Sequence, residues 1–264
     1  MKKTLVSIAA SAALAAVVLL APASGQGPGK KGKVGPFRKE FPRLSNGKPD
    51  FSGVWDHPYV PDMSKSSKDG KQKGMDPLPF NAKGAAVFAK YDASKGDYTG
   101  TCMPFGLVRS INSPHPLQII QSPDTFAFLF EQNTWFHAFP TDGRPLPKDP
   151  DPTWFGTTVG RWEGDKLVAE TVGFNGYTRL DTTGHPHSAG MKVIQTLEPM
   201  GAEQIRYTIT IDDPRAFTKA WSNERIFTYR PDWTVMEYSC EENNKDIFDG
   251  LIKPWTPQDN PPEL

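Results

Sequence analysis

The chain has 264 residues, with 30 basic and 30 acidic side chains, so its formal charge at pH 7 is zero. A neutral molecule without an interleaved basic and aromatic surface is not expected to bind nucleic acid or to be attracted to an anionic membrane. Hydrophobic residues make up 37% of the chain, enough for a core, and the 26 prolines and 23 glycines favour turns and extended segments over long helices.

The N-terminus has the pattern of a cleavable export signal. Lys2-Lys3 precedes an apolar run from Leu5 to Leu20, and Ala21-Pro22-Ala23 supplies the small residues that a signal peptidase accepts. The alternative, a membrane anchor, is disfavoured because this Ala-rich run is short for a span and no basic cluster follows it directly. We therefore expect residues 1–23 to be a signal peptide and the mature protein, without a transmembrane span, to be periplasmic or secreted.

Residues 24–43 are rich in Gly, Pro and Lys and have almost no apolar periodicity. This composition predicts a disordered basic leader, with a cell-surface contact as the alternative to a solvated linker. Residues 44–264 are then expected to form a single domain.

The pattern after the leader is one of short strands with a single helix. The segment Phe51–Trp55 predicts the first strand, and Asn81 is a suitable N-cap for a short helix over Ala82–Tyr91. Nine later segments are biased to β-branched and aromatic residues and have the usual length of strands. They are Leu117–Gln121, Thr125–Glu131, Trp135–Phe139, Thr157–Trp162, Lys166–Val172, Met191–Leu197, Gln204–Ile211, Glu224–Tyr229 and Thr234–Cys240.

Short connections make successive strands antiparallel neighbours, and a sheet of about ten strands closes or stacks because open edges invite aggregation. We expect an all-β domain, an antiparallel up-and-down barrel or a strongly curved meander, with one short helix and long loops. Gly53-Val54-Trp55 is also similar to the start of lipocalin barrels, where Gly permits a bend and Trp closes one end.

The chain has two cysteines, Cys102 and Cys240. In an exported protein they are expected to form a disulfide, since the oxidising compartment allows such a bond to persist. The alternative, a cysteine nucleophile or thiolate metal ligand, needs a reducing compartment or a reason to stay unpaired.

Several segments spread over most of the mature chain occur together in one known group of proteins. These segments are Pro49–Trp55, Cys102–Arg109, Pro116–Gln121, Asp142–Pro145, Val159–Asp165, His185–Ser188, Ile211–Pro214 and Tyr238–Asn243. In them the chain resembles a large family of uncharacterised secreted bacterial proteins. The resemblance implies secretion but no particular activity.

The chain departs from the pattern of that family at three places. An arginine that is usual before the Asp142-Gly-Arg-Pro turn is replaced around Trp135–His137. A histidine that is usual after the Trp154 region is Thr157, and a usual Glu-Arg pair reads Gln195-Thr-Leu197. No role is carried over from the family at these positions.

Histidines are the first candidates for chemistry. His185 and His187 are two positions apart, so on an extended segment both rings point to one face, with Asp181 four residues earlier. This pattern suits acid–base catalysis, with Asp181 orienting a ring, or metal chelation; the alternative is a polar loop bonded to backbone. Glu131 ends one predicted strand and His137 lies on the next, so a tight hairpin would bring them close together. They are either an inward-facing functional pair or an ordinary cross-strand pair.

Candidate ligand-binding residues are more scattered. The segment Asp142–Pro145 is first of all a turn, and the alternative is that Arg144 binds an anionic group bidentately. Arg109 lies in a loop tied by the expected disulfide and is either a structural pair or an anion contact. Trp135, Trp154 and Trp162 would line a cavity for an aromatic or apolar ligand, or fill the core. Asp212-Asp213-Pro214 is an acid–base pair or, more simply, a strand exit closed by Pro.

The sequence lacks the motifs of serine hydrolases, nucleotide-binding proteins, zinc peptidases and c-type cytochromes. We expect no cofactor and no bound metal. Two functions are compatible with the pattern: a barrel that binds a small, partly aromatic or apolar molecule, and a cofactor-independent acid–base enzyme (a lyase, isomerase, hydratase or hydrolase) of the same architecture. The first is preferred because no catalytic group stands out from its structural alternative.

Overall fold

The computed structural model describes residues 38–95, 97–242, 244–258 and 262–264. The expected signal peptide and most of the expected leader lie outside these residues. The described end of that leader packs on the domain: the ring of Phe41 stacks on Trp55 with centroids 6.3 Å apart, and Arg43 pairs with Asp165 at 2.7 Å. The packed part of the chain therefore includes residues before Leu44.

The described residues form ten strands, listed here in chain order. They are β1 Gly53–Asp56, β2 Gln72–Lys73, β3 Leu117–Gln121, β4 Thr125–Phe130, β5 Phe136–Pro140, β6 Thr157–Glu163, β7 Lys166–Val172, β8 Lys192–Pro199, β9 Gln204–Asp212 and β10 Trp221–Tyr229. The α-helices are α1 Ala82–Lys90, α2 Leu107–Ile111 and α3 Lys245–Phe248, and short 3₁₀ helices span Ala93–Lys95, Tyr98–Thr101 and Gln132–Thr134.

The strands form one antiparallel sheet in the order β5-β4-β3-β1-β10-β9-β8-β7-β6, with β2 paired to β10. The two ends of this order approach each other, so the sheet is a nearly closed barrel, and the all-β barrel expectation is confirmed. At the closing seam, Gly143 N donates to Gly160 O at 2.9 Å. On the inner side of the same seam, His137 Nε2 lies 2.7 Å from Thr158 Oγ1.

Strand alternation determines which side chains fill the barrel. In β9, Ile205, Tyr207, Ile209 and Ile211 are fully buried, whereas the residues between them are not. This is the period-2 pattern of a strand with one face toward a core. The largest fully buried side chains include Trp55, Trp221 and several phenylalanines, so the inner face is filled mainly by aromatic groups.

Helix α1 begins where the sequence predicts. Asn81 Oδ1 accepts a hydrogen bond from Gly84 N at 2.8 Å, which is the N-cap interaction. Gly84 is the buried residue of the helix, and a Cβ there would lie 2.1 Å from the carbonyl oxygen of Ala216. Only glycine allows the helix backbone to approach this loop so closely.

Two elements differ from the expectations. Helix α2 was not predicted; its five residues are too few to show a helical period, and all are buried, including the polar Arg109 and Ser110. The predicted strand Thr234–Cys240 is not a strand. It cannot pair with the preceding strand β10, because β10 already pairs with β1 on one side and β9 on the other.

The expected disulfide is confirmed. Cys102 and Cys240 are bonded, with their Cα atoms 5.4 Å apart, and the bond ties the segment after β10 to the loop before α2. Nowhere in the described ranges is there a helix with the length and apolar character needed to traverse a lipid bilayer.

Candidate functional site

Asp181 and His185 form a buried acid–imidazole pair in the loop between β7 and β8. His185 Nδ1 lies 2.6 Å from Asp181 Oδ2, and because a carboxylate only accepts, Nδ1 carries the proton. Met63 N donates to the same Oδ2 at 2.7 Å, and Thr183 Oγ1 donates to Oδ1 at 2.8 Å. The two residues are only four positions apart, so the sequence pattern already suggested that Asp181 orients a histidine ring.

The loop holds Asp181 ionised. Burial by itself would raise the pKa of Asp181, but the hydrogen bonds that it accepts, above all from His185, outweigh burial and lower the pKa. The His185 ring packs between Phe88 and Phe80, at centroid distances of 4.6 and 5.9 Å. Among the described residues, its Nε2 has no hydrogen-bonding partner. This is the arrangement of a general base with an orienting carboxylate.

Asp62 lies next to this pair, and one oxygen or nitrogen from each of Asp62, Asp181 and His185 falls within 4.8 Å of the other two. The oxygens of Asp181 already accept bonds from backbone and side-chain donors, and Asp62 Oδ1 accepts from both the backbone N and the Oγ of Ser64. Hydrogen bonds from neighbouring residues thus hold these carboxylates in place.

His187 faces different partners from His185. Its Nε2 lies 2.6 Å from Thr178 Oγ1 and its Nδ1 lies 3.0 Å from the carbonyl oxygen of Ser188. Burial lowers the pKa of His187. Because both ring nitrogens have partners, the geometry is that of a neutral structural histidine.

Ser188 and Asp213 connect two of the sequence motifs inside the protein. Ser188 N and Oγ donate to the two oxygens of Asp213, at 2.6 and 2.9 Å. Asp213 also accepts from Arg215 N. It therefore closes the turn after β9, while its neighbour Asp212 is exposed and does not share the site.

Glu131 and His137 make their polar contacts with different partners. Glu131 accepts from Met236 N at 3.0 Å and lies 3.3 Å from His115 Nδ1. His137 lies opposite Phe128 in the hairpin and belongs to the seam with Thr158. Burial lowers the pKa of His137 to about 4.

The predicted binding residues other than Arg144 mostly contact other side chains of the protein. Arg109 donates to Asp97 Oδ2 at 2.8 Å. The Trp154 ring contacts those of Tyr98, Tyr177 and Trp255. Trp135 packs on Phe155, and Trp162 stacks on Phe51; the indole N–H groups of both are buried without a hydrogen-bond acceptor.

Arg144 lies in an open cleft of about 190 Å³ on the outside of the barrel. Turn residues 143–146 form one wall, and residues 159–161 of β6 with Glu170 of β7 form the other. Arg144 pairs with Asp142 through Nε and Nη2, with Nη2 2.6 Å from Oδ2. On the other wall, Arg161 Nη1 donates to Glu170 at 2.5 Å.

Sequence reasoning missed a polar group inside the barrel, formed by Gln195, Tyr207, Asn223 and Arg225. All four residues are fully buried. The sequence indication for it was the alternation in β10, where Trp221, Asn223, Arg225 and Phe227 share one face. Sequence reasoning also missed His57, whose Nε2 lies 2.8 Å from the His115 carbonyl oxygen. Burial, aided by the nearby Arg225, lowers the pKa of His57 to about 4.

No protein-family model and no curated protein matches this chain. The family resemblance of its sequence segments accordingly stays a prediction.

Proposed function

We propose that the protein is an exported barrel that binds a small, partly aromatic or apolar molecule. The observation that carries this proposal is the cleft of about 190 Å³ beside the Asp142-Gly-Arg-Pro turn. This cleft is open and contains a residue that the sequence singled out, Arg144. Its volume is below the usual range for drug-sized ligands, which favours a ligand of about one ring.

The lining of the cleft favours an aromatic group. Pro145, Leu146 and Val159 supply apolar surface, and the two arginines contribute from opposite walls. Each guanidinium already has a carboxylate partner, so neither presents an uncompensated charge. A paired guanidinium still offers its planar face, and arginine stacks on aromatic rings through that face.

The test is a thermal-shift screen of aromatic acids and phenols, followed by titration of any stabilising compound. Replacing Arg144 with Ala is expected to weaken binding of that compound about two- to fivefold, the usual effect of an exposed cation–π contact. The matched control is Arg206→Ala, which removes another exposed, ion-paired arginine, on β9 outside the cleft. Equal affinities of the wild type and Arg144→Ala, or an equal loss in both variants, would contradict the proposal.

A second candidate function, cofactor-independent acid–base catalysis, is favoured by the Asp181–His185 pair. Its carboxylate holds Nδ1, and Nε2 is the nitrogen left to take a proton from a substrate. A lyase, isomerase, hydratase or hydrolase would use such a base. The substrate would approach between Phe80 and Phe88, the rings that pack on the imidazole.

For a substrate found by activity screening, His185→Gln is expected to lower kcat about 100-fold or more, which is the usual contribution of a general base. His187→Gln is the matched comparison, because it removes a buried histidine of the same loop whose two nitrogens already have partners. Circular dichroism checks that both variants are folded. Unchanged turnover in His185→Gln, or equal losses in the two variants, would remove His185 from the reaction.

A further inference from the structure

The inner face of β8, β9 and β10 carries one cation among apolar and aromatic groups. In the strand register, Arg225 lies opposite Tyr207, and Tyr207 lies opposite Leu197 of β8. The adjacent row places Asn223 opposite Ile209, and Ile209 opposite Gln195. The guanidinium carbon of Arg225 is 5.7 Å from the centre of the Tyr207 ring. Gln195, Tyr207, Asn223 and Arg225 are called the inner polar patch below.

The inner polar patch has more donors than acceptors. Arg225 Nε donates to Asn223 Oδ1 at 2.8 Å and Nη1 donates to the Ile111 carbonyl oxygen at 3.1 Å, but Nη2 is buried without an acceptor. Gln195 Oε1 accepts from Tyr207 OH at 2.9 Å, and Gln195 Nε2 is also buried without an acceptor. Both orphan groups are N–H donors, so the missing partner is an acceptor.

The charge of Arg225 has no hydrogen-bonded carboxylate within the described parts of the chain. The negative charge of Asp181 acts on Arg225 and raises its pKa, but the oxygens of Asp181 accept hydrogen bonds from His185, Met63 and Thr183. His57 is also near enough for Arg225 to lower its pKa, but an imidazole supplies no negative charge. Burial lowers the pKa of Arg225 to about 10, so the side chain still carries its charge at neutral pH. A buried charge without a hydrogen-bonded counterion is strongly destabilising.

We propose that the inner polar patch binds the carboxylate of a small monovalent anion. A carboxylate has two acceptor oxygens, and Arg225 Nη2 and Gln195 Nε2 are the two donors that lack one. Leu197 and Phe227 border the patch with apolar surface. The carboxylate belongs to a free small acid or to the head of a longer apolar one, and both offer the same group to Arg225.

Entry to the inner polar patch requires a movement of the chain, because its four side chains are fully buried. Asn223 Nδ2 donates to the Met63 carbonyl oxygen at 2.8 Å, so the loop that carries Met63 covers this end of the patch. That loop is attached to Asp181 through Met63 N. Its displacement would free the amide of Asn223, which accepts from Arg225 Nε.

The experiment measures the Tm of the full chain, with its disulfide intact, in sodium chloride, acetate, benzoate and octanoate at constant ionic strength and pH 7. A Tm that is higher by about 5 °C in a carboxylate salt than in chloride is expected near a hundredfold excess over Kd. A shift with acetate identifies a free small acid, and a shift only with benzoate or octanoate identifies the head of a larger acid. Equal Tm values in all four salts would overturn the proposal.

Three variants separate the inner polar patch from other sites. Gln195→Glu places a carboxylate within the inner polar patch, so it is expected to raise the Tm in chloride and to abolish the carboxylate-dependent shift. Arg225→Met is expected to abolish the shift as well. If Arg225→Met does not fold, the result with Gln195→Glu tests the proposal. Arg206→Ala, which removes an exposed arginine on the outer face of β9, is expected to keep the shift. Persistence of the shift in Gln195→Glu, or its loss in Arg206→Ala, would overturn the proposal.

Discussion

Reduction of the Cys102–Cys240 disulfide is expected to lower the free energy of unfolding by about 5 kcal/mol, the size of the chain-entropy effect for a loop of this length. The bonded residues are 138 positions apart, so the bond removes much of the freedom of the unfolded chain. It also holds the segment after β10, which has no sheet partner and is otherwise attached by contacts such as Met236 N to Glu131. Urea unfolding with and without a reductant measures the difference.

The control for this prediction is the double variant Cys102→Ser/Cys240→Ser. It is expected to have the stability of the reduced wild type and to be insensitive to the reductant. A wild type whose unfolding midpoint does not change on full reduction, verified by a thiol count, would contradict the prediction.

Mild acid is expected to destabilise the protein through His57 and His137. Burial lowers the pKa of each from 6.5 to about 4 in the folded state. The unfolded chain therefore binds protons that the folded chain does not, so stability is complete above pH 6.5 and is lost as the pH falls toward 4. From pH 7.5 to pH 5 the loss is about 2 kcal/mol per histidine, since one pKa unit corresponds to about 1.4 kcal/mol.

Urea unfolding at pH 7.5 and pH 5 tests this expectation with two variants of the barrel seam. His137→Gln retains a polar partner for Thr158 but does not titrate, so it is expected to remove about half of the loss due to the two histidines. Thr171→Val removes a hydroxyl from the same hydrogen-bonded group and is expected to lower stability equally at both pH values. A loss in His137→Gln as large as that of the wild type would show that His137 does not contribute.

The features predictable from the sequence are those governed by neighbouring residues. Alternation in segments such as Gln204–Ile211 predicts strands, and short connections predict their antiparallel order, because both depend only on local geometry. The cap at Asn81 follows from the same kind of local bonding. Asp181 and His185 were also found this way, because both lie in one loop.

The remaining contacts depend on which distant strands become neighbours. β10 is enclosed by β1 and β9, so Thr234–Cys240 cannot pair with it, although the composition of this segment predicts a strand. The segment instead supplies Met236 N to Glu131, whereas His137 contacts Thr158.

By itself, the sequence determined the all-β barrel and the pairing of Cys102 with Cys240, because strand periodicity is local and only two cysteines are present. The tertiary structure alone decided that Arg225 meets Tyr207 and Asn223 inside the barrel, and that Arg144 borders a cleft. The physical reason is register: a shift of one residue turns every side chain of a strand to the other face, and the packing of the whole barrel selects the register.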